Sequence, residues 1–325
     1  MSKKDSPASD FDSPWKEIIE QEFEAFMAFF HPHAHQQIDW SKGYTFLDKE
    51  LQQVTRGAKT GGRRVDKLVE VTLRNRDEGW VLAHVEVQGQ PQDDFAERIF
   101  IYHYRIFDKH RRRVATLVIL TDTQKHWLPN HYGYELFDCR IGIDFPIVKL
   151  LDYRDKWAEL EQNDNPFAVV VMAHLKTQDT HLNPQERYLA KLSLAKMLYR
   201  RGYNRQRIIN LFCFIDWIMM LPDEMNLQFM DEVNAFEEEQ KMAYVTTFER
   251  IGIQRGLEQG RQKTARENVL EVLDERFGYV PAGIEAAVSQ ISDLPTLKTL
   301  HRKSITIPTL ADFEQLLATF IADNP

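Results

Sequence analysis

Val65-Asp66-Lys67-Leu68-Val69-Glu70-Val71-Thr72-Leu73 and, beyond the polar turn Arg74–Gly79, Trp80-Val81-Leu82-Ala83-His84-Val85-Glu86-Val87-Gln88 are two β-branched segments in which apolar residues alternate with polar ones. That pattern predicts two strands. If the turn closes a hairpin, symmetry about its centre sets Asp66 opposite Glu86 or Val87. Facing Glu86, the two β-carbons would stand only about 5 Å apart, close enough for one cation to bridge both carboxylates. Facing carboxylates repel unless something neutralises them, which gives a metal a physical reason to be there. Strand alternation adds Gln88 to the face of Glu86 and turns Val85 and Val87 toward the core. A divalent ion held by Asp66, Glu86 and a backbone carbonyl would polarise a phosphate and acidify a water that Gln88 could orient. An ExQ strand end is also common on ordinary protein surfaces, so the spacing alone leaves a purely structural reading open.

Upstream, Trp15, Ile18, Ile19, Phe26 and Phe30 recur with a helical period after the start signal Asp12-Ser13-Pro14. On that helix Glu22 falls between Trp15, Ile19 and Phe26, while Glu17, Glu20 and Glu24 take the polar side. A strand expected near Lys49–Thr55 precedes the two quoted ones, and the three read as an antiparallel meander. Downstream, a helix is expected over Asp94–His110, with Phe95, Ile99, Tyr102 and Ile106 on one face. Arg98, Arg105 and Lys109 form a stripe beside that face and are the first candidates for phosphate contacts. Val114–Thr121 then reads as a strand buried on both sides. Two more strands are expected near Gly133–Cys139 and Asp144–Leu151.

After that the pattern becomes helical. Asn165-Pro166, Asn183-Pro184, Asn204 and Asp223 look like helix starts. A long polar helix is expected from Asn226 to Phe277, with Gly252, Gly256 and Gly260 at intervals of four. Such a stripe suits either close helix approach in a homodimer or a loosely packed linker. The tail from Pro281 to Pro325 reads as short helices, with Thr309-x-x-Asp312 resembling a capping box.

With 325 residues and 43% hydrophobic composition, the chain can bury one large or two ordinary cores. Cys139 and Cys213 are its two cysteines, without a CxxC pair, which argues against disulfides and structural zinc. The opening MSKKDSPASDFDSP has no apolar core, so residues 1–14 are read as a short disordered tail and not a secretory signal. Ile208–Leu221 is interrupted by Asn210 and Asp216 and is too short to span a bilayer. A cytoplasmic protein without a membrane segment is therefore expected. A net charge of −8 disfavours the whole surface as a polyanion-binding face. Nucleic acid would need a local patch: Arg63-Arg64, the run Lys109–Arg113, or Arg200-Arg201 with Arg205 and Arg207. His31, His33 and His35 read as a loop closing the first helix, and Gly57–Arg64 as a flexible loop lacking the P-loop spacing.

Taken in order, a helix, an Asp on the second strand, ExQ on the third and a helix carrying Arg98, Tyr102, Tyr104 and Arg105 resemble the PD-(D/E)XK nuclease superfamily. More narrowly, Ile38-Asp39-Trp40, Leu47-Asp48-Lys49-Glu50-Leu51, Val65–Val69, His84–Gln88 and Glu97-Arg98-Ile99-Phe100-x-Tyr102 resemble the Rpn family of recombination-promoting nucleases and transposase-like proteins. The likeness runs from Trp15 to Asp152 and continues more weakly into the glycine-stripe helix and the end from Leu273. It implies an α/β fold, a PD-(D/E)XK-type mixed sheet flanked by helices, over 15–153. An all-helical C-terminal region would follow, a helical part with a long linker helix over 154–277 and a small domain over 278–325. It implies an endonuclease acting on DNA in recombination, mobile-element biology or defence, with Asp66 and Glu86 binding Mg²⁺ or Mn²⁺. Gln88 would take the position where the superfamily usually carries lysine, and a glutamate of the first helix would complete the site. The helical wheel selects Glu22 for that role, with Glu50 and Glu70 as competitors. Losing the lysine removes a cation, which Arg98 or Arg105 could supply. The rival expectation is a DNA-binding or assembly module with the nuclease fold and little catalysis.

Overall fold

A computed structural model describes residues 12–47, 51, 65–74, 81–239, 247–291 and 293–322. Within these spans the side chains of 12–13, 65–66, 81–86, 247–259, 261, 282 and 321–322 are not described. The chain divides into two compact units, one reaching residue 239 and one starting at 247.

The first unit opens with α1 (Asp12–Gln21), α2 (Phe23–Phe30) and α3 (Pro32–Gln37). The single helix expected from Trp15 to Phe30 is kinked at Glu22, whose φ of −131° leaves the helical region while its amide still reaches the Ile18 carbonyl at 3.0 Å. The predicted helix face holds: Trp15, Ile18, Ile19 and Phe26 are all buried. Helix already begins at Asp12, inside the span read as a tail. The histidine run is also helical, because Pro32 at the first helical position presets the backbone. Residues two apart on a helix point to different sides, so His33 does not join His31 and His35.

The first strand is β1 (Tyr44–Phe46), earlier than the expected Lys49–Thr55; Leu51, the one described residue of that span, is helical and bonds back to Leu47. Gly43, at φ 71°, turns the chain into β1. Then come β2 (Val65–Val71), β3 (Val81–Gln88), α4 (Phe95–His110), β4 (Val114–Leu120), the hairpin β5 (His131–Leu136) and β6 (Cys139–Asp144), and β7 (Ile147–Lys149). The five-stranded sheet has the order β1-β2-β3-β4-β7. Its first three strands are antiparallel, the expected meander; β4 joins β3 in parallel after the α4 crossover, and β7 joins β4 in parallel.

Alternation gives the sheet two apolar faces. On one, Phe95 and Ile99 of α4 pack on Val118 and Leu120, and Ile106 packs with Leu68. On the other, Val69, Val71, Val87, Leu117 and Ile119 meet α1, α2 and the helices that follow. Those helices are α5 (Trp157–Gln162), α6 (Pro166–Asp179), α7 (Pro184–Arg200), α8 (Arg205–Ile218) and α9 (Asp223–Glu239). Asn165, Asn183 and Asn204 cap three of them with their side-chain oxygens, as their spacing predicts. α6 is apolar all round and wholly buried from Phe167 to Ala173, so it must be surrounded. For that reason the boundary expected near 153 is absent: sheet and helices to 239 share one core.

The second unit contains α10 (Thr247–Phe277), α11 (Ala282–Gln290), α12 (Leu294–Thr306) and α13 (Leu310–Ala322), packed around Val269, Leu273, Ile284, Leu297, Leu300 and Phe313. At the start of α13 Thr309 Oγ1 accepts from the Asp312 amide at 3.2 Å, one half of a capping box, and donates to the Asp312 carboxylate at 2.7 Å in place of the other half. The long helix expected from Asn226 corresponds to α9 and α10, with 240–246 outside the described residues, and α10 belongs with the C-terminal helices. A Cβ added at Gly260 would meet nothing within 4 Å. No helix among the described residues is long and apolar enough to cross a membrane.

His174 on α6 ties helices to sheet. Its Nδ1 accepts from Trp15 Nε1 (3.4 Å) and its Nε2 faces the Thr121 carbonyl (3.2 Å), so the neutral Nε2–H tautomer serves both. Burial pushes its pKa from 6.5 down to about 4 against the pull of the Thr121 carbonyl. His31 is lowered to about 4 by burial as well. In both cases the unfolded chain takes up the proton first as pH falls. The stability is fully present above 6.5 and is lost on the way down to about 4, by up to about 3 kcal/mol for His174. Urea unfolding at pH about 7 and about 4.5 should show this drop, and His174→Gln should reduce it. An equal drop in the variant would place the acid sensitivity elsewhere.

Candidate active site

The hairpin register pairs Asp66 with Glu86, the first of the two alternatives that the turn left open. The bridging of both carboxylates by one cation concerns the side chains of Asp66 and Glu86, which lie outside the described residues. One strand further, Glu86 pairs with Val118 and Gln88 with Leu120.

Gln88 is described in full. It is buried, its Oε1 accepts from Arg98 Nη2 at 2.9 Å and its Nε2 donates to the Gln90 carbonyl at 2.6 Å. Its own carbonyl accepts from the amide (2.9 Å) and hydroxyl (3.3 Å) of Thr121. Arg98, only 2% exposed, also donates from Nη1 to Gln92 Oε1 and lies 5.0 Å from the centre of the Phe95 ring. A glutamine suits position 88 because its amide oxygen accepts from the guanidinium. A lysine there would set two cations together in a buried place.

The stripe expected on α4 is therefore divided. Arg98 turns inward to Gln88, Arg105 is half-buried and Lys109 is exposed. The apolar anchors Phe95, Ile99 and Ile106 set the helix so deeply on the sheet that Arg98, one residue before Ile99, goes under with them. Arg63 and Arg64 lie outside the described residues.

Glu22 has a different neighbour from the one expected. Both its oxygens are held by Arg207 of α8, with contacts of 2.8 to 3.2 Å, and its side chain is 8% exposed. The wheel correctly marked it as an inward carboxylate, but what it meets is a guanidinium. Helix α1 lies over the sheet face of Lys67, which donates to Glu20 at 2.9 Å. Position 66 has the opposite strand parity, that of Leu68 under α4. Of the competitors, Glu50 is outside the described residues. Glu70 stands four positions along β2 from Asp66, about 13 Å away and beyond a shared coordination shell. Among the described residues no three His, Cys, Asp or Glu side chains gather as a metal site.

Sequence reasoning missed the neighbouring ion pair. Asp122, just past β4, is bound by Lys149 of β7 at 2.9 and 3.1 Å, and the same ammonium donates to the Trp127 carbonyl at 2.9 Å. Both side chains are at most 2% exposed. The signal was present in a lysine ending the apolar Ile147-Val148-Lys149 strand and an aspartate just past the buried Val114–Thr121 run.

Cys139 and Cys213 are free thiols, the first exposed. Burial, with Asp216 and Glu17 nearby, raises the Cys213 pKa to about 12 and leaves it a poor nucleophile. Comparison with protein-family models, curated proteins and solved structures finds no match.

Proposed function

We propose that this chain is a metal-dependent endonuclease acting on DNA, with a PD-(D/E)XK-type site like that of the Rpn family. The observation that carries the reading is the pairing of Asp66 with Glu86, two residues before a Gln88 whose amide holds a buried arginine. Two carboxylates on adjacent strands are hard oxygen donors of the kind that Mg²⁺ or Mn²⁺ takes. Asp66 and Glu86 would hold the ion. When bound, it supplies a more acidic water and a polarised phosphate. Gln88 keeps the Arg98 guanidinium in one place, where it can balance charge developing on the phosphate. In this reading Arg98 replaces the superfamily's lysine, its charge delivered from the helix instead of the strand. The biological setting consistent with the resemblance is recombination, mobile-element biology or defence against foreign DNA, in the cytoplasm.

A second reading, a DNA-binding or assembly module of weak catalysis, is favoured by Glu22, whose carboxylate is already committed to Arg207. Supercoiled plasmid incubated with the purified chain separates the two. Nicked and linear DNA in Mg²⁺ and none in EDTA supports the enzyme. Intact plasmid in both, with DNA still retained by the protein, sinks the enzyme and leaves the module.

A further inference from the structure

The β5–β6 hairpin stands outside the five-stranded sheet, and its register sorts its side chains cleanly. Tyr132 pairs with Ile143, Tyr134 with Ile141 and Leu136 with Cys139, which puts six apolar groups on one face. The other face carries Glu135 with Arg140 and His131 with Asp144, bonded to each other across the strands. Only the base of the apolar face is covered: Phe95 meets Phe145 (6.4 Å) and Phe100 meets Tyr132 (5.3 Å). Further out, Tyr134 and Leu136 are at least half exposed and Phe137, at the tip, is 92% exposed.

The tip is also conformationally costly. Phe137 and Asp138 have φ of 51° and 62°, a tight turn of the type that glycine or asparagine usually fills. A bulky ring held in that region and turned to solvent serves neither packing nor the turn. Such an outlier is a reason to look for a contact.

Helix α4 runs out beside the hairpin from the same base. His110 lies about 15 Å beyond Phe100 at helical rise. Phe137 lies about 16 Å beyond Tyr132 at strand rise. The hairpin and α4 thus extend similar lengths from their shared base, and Tyr104 and Phe107 are exposed on the Phe100 side of the helix. Between residues 103 and 113 the sequence carries five Lys and Arg and one Asp, in a chain whose net charge is −8, and Arg111 pairs with that Asp108 at 2.7 Å. Of the hairpin's acids, Glu135 and Asp144 are occupied by Arg140 and His131, and Asp138 stands at the tip beside Phe137.

We propose that the hairpin tip and the C-terminal half of α4 bind single-stranded nucleic acid, with bases stacked on Tyr134 and Phe137 and phosphates along the basic run 109–113. Exposed rings interleaved with cations suit that ligand, because every base has a stacking face and the backbone supplies the anions. The inference rests on nucleic acid being the substrate, and it assigns the hairpin to an unpaired stretch away from the reacting phosphate, since His110 lies about 18 Å along α4 from Arg98.

The test is fluorescence anisotropy of a labelled oligo-dT and of a duplex of equal length in EDTA, with the full chain and with Tyr134→Ser/Phe137→Ser. Both positions are solvent-exposed, and circular dichroism checks that the variant folds. The wild type should prefer the single strand, with an affinity that falls as salt rises. The variant should lose roughly tenfold on it and less than twofold on the duplex. Unchanged single-strand affinity in the variant overturns the proposal. So does a wild-type dimer, seen by sedimentation, that the variant dissociates without any change in DNA binding, since a second copy would then cover the face. Plasmid nicking that persists beside unchanged oligo-dT binding sinks the hairpin assignment alone. Absence of both nicking and DNA binding in the wild type sinks the nuclease reading with it.

Discussion

Plasmid cleavage is expected to fall to background in Glu86→Ala and by roughly 10²–10³-fold in Arg98→Met. The first variant removes half of the facing pair Asp66 and Glu86, so wild-type cleavage in it would place the chemistry elsewhere. The second removes a cation that is 2% exposed and already held on Gln88. It also leaves the Gln88 amide oxygen without that donor, a loss of order 1–3 kcal/mol, so rates are compared well below the measured Tm of each protein. Two further variants distinguish a working charge from a prop. Gln88→Lys alone should slow the enzyme and lower its stability, because it sets an ammonium against the guanidinium. Gln88→Lys/Arg98→Met restores one cation, now on the strand, and should cleave at least about tenfold faster than Arg98→Met. A double variant no faster than Arg98→Met, with Gln88→Lys harmless, would make Arg98 a structural residue.

The hairpin and its register were readable because alternation and turn symmetry are local, and a two-residue period admits few pairings. Asparagine caps at 165, 183 and 204 were readable for the same reason. What could not be read were the partners of buried charges. The wheel found that Glu22 points inward, but nothing near residue 22 reveals that Arg207, 185 positions on, arrives from α8. The same holds for Arg98, which lies at the edge of an amphipathic helix face. Whether an edge residue is solvated or swallowed depends on how deeply the helix seats, and Gln88 and Gln92 settle that by offering acceptors. The boundary near 153 failed on another count. Helical composition after that point suggested a separate region, yet the sheet needs a cover on its Val69 and Ile119 face, and those helices are the cover.

Lys149→Met is expected to destabilise the first unit by about 3–5 kcal/mol, because it leaves the Asp122 carboxylate buried without its cation. Asp122 is only 1% exposed by side chain, and its remaining described partner is the Gln124 amide at 2.7 Å, too little to replace an ammonium. Asp122→Asn/Lys149→Met removes both charges together and should recover most of that loss, since a neutral pair no longer pays the desolvation of an isolated ion. Urea unfolding of wild type, Asp122→Asn, Lys149→Met and the double variant measures the coupling directly. The pair also bears on the site: Thr121, next to Asp122, donates twice to the Gln88 carbonyl, so the segment that Lys149 ties down is the one that steadies Gln88. At a temperature where all four are folded, Lys149→Met should therefore cleave more slowly than wild type, with the double variant between them. Equal stabilities for Lys149→Met and wild type would mean that the Asp122 carboxylate finds water or another donor, and that the end of β4 is held by His174 and Gln178 at the Thr121 carbonyl instead.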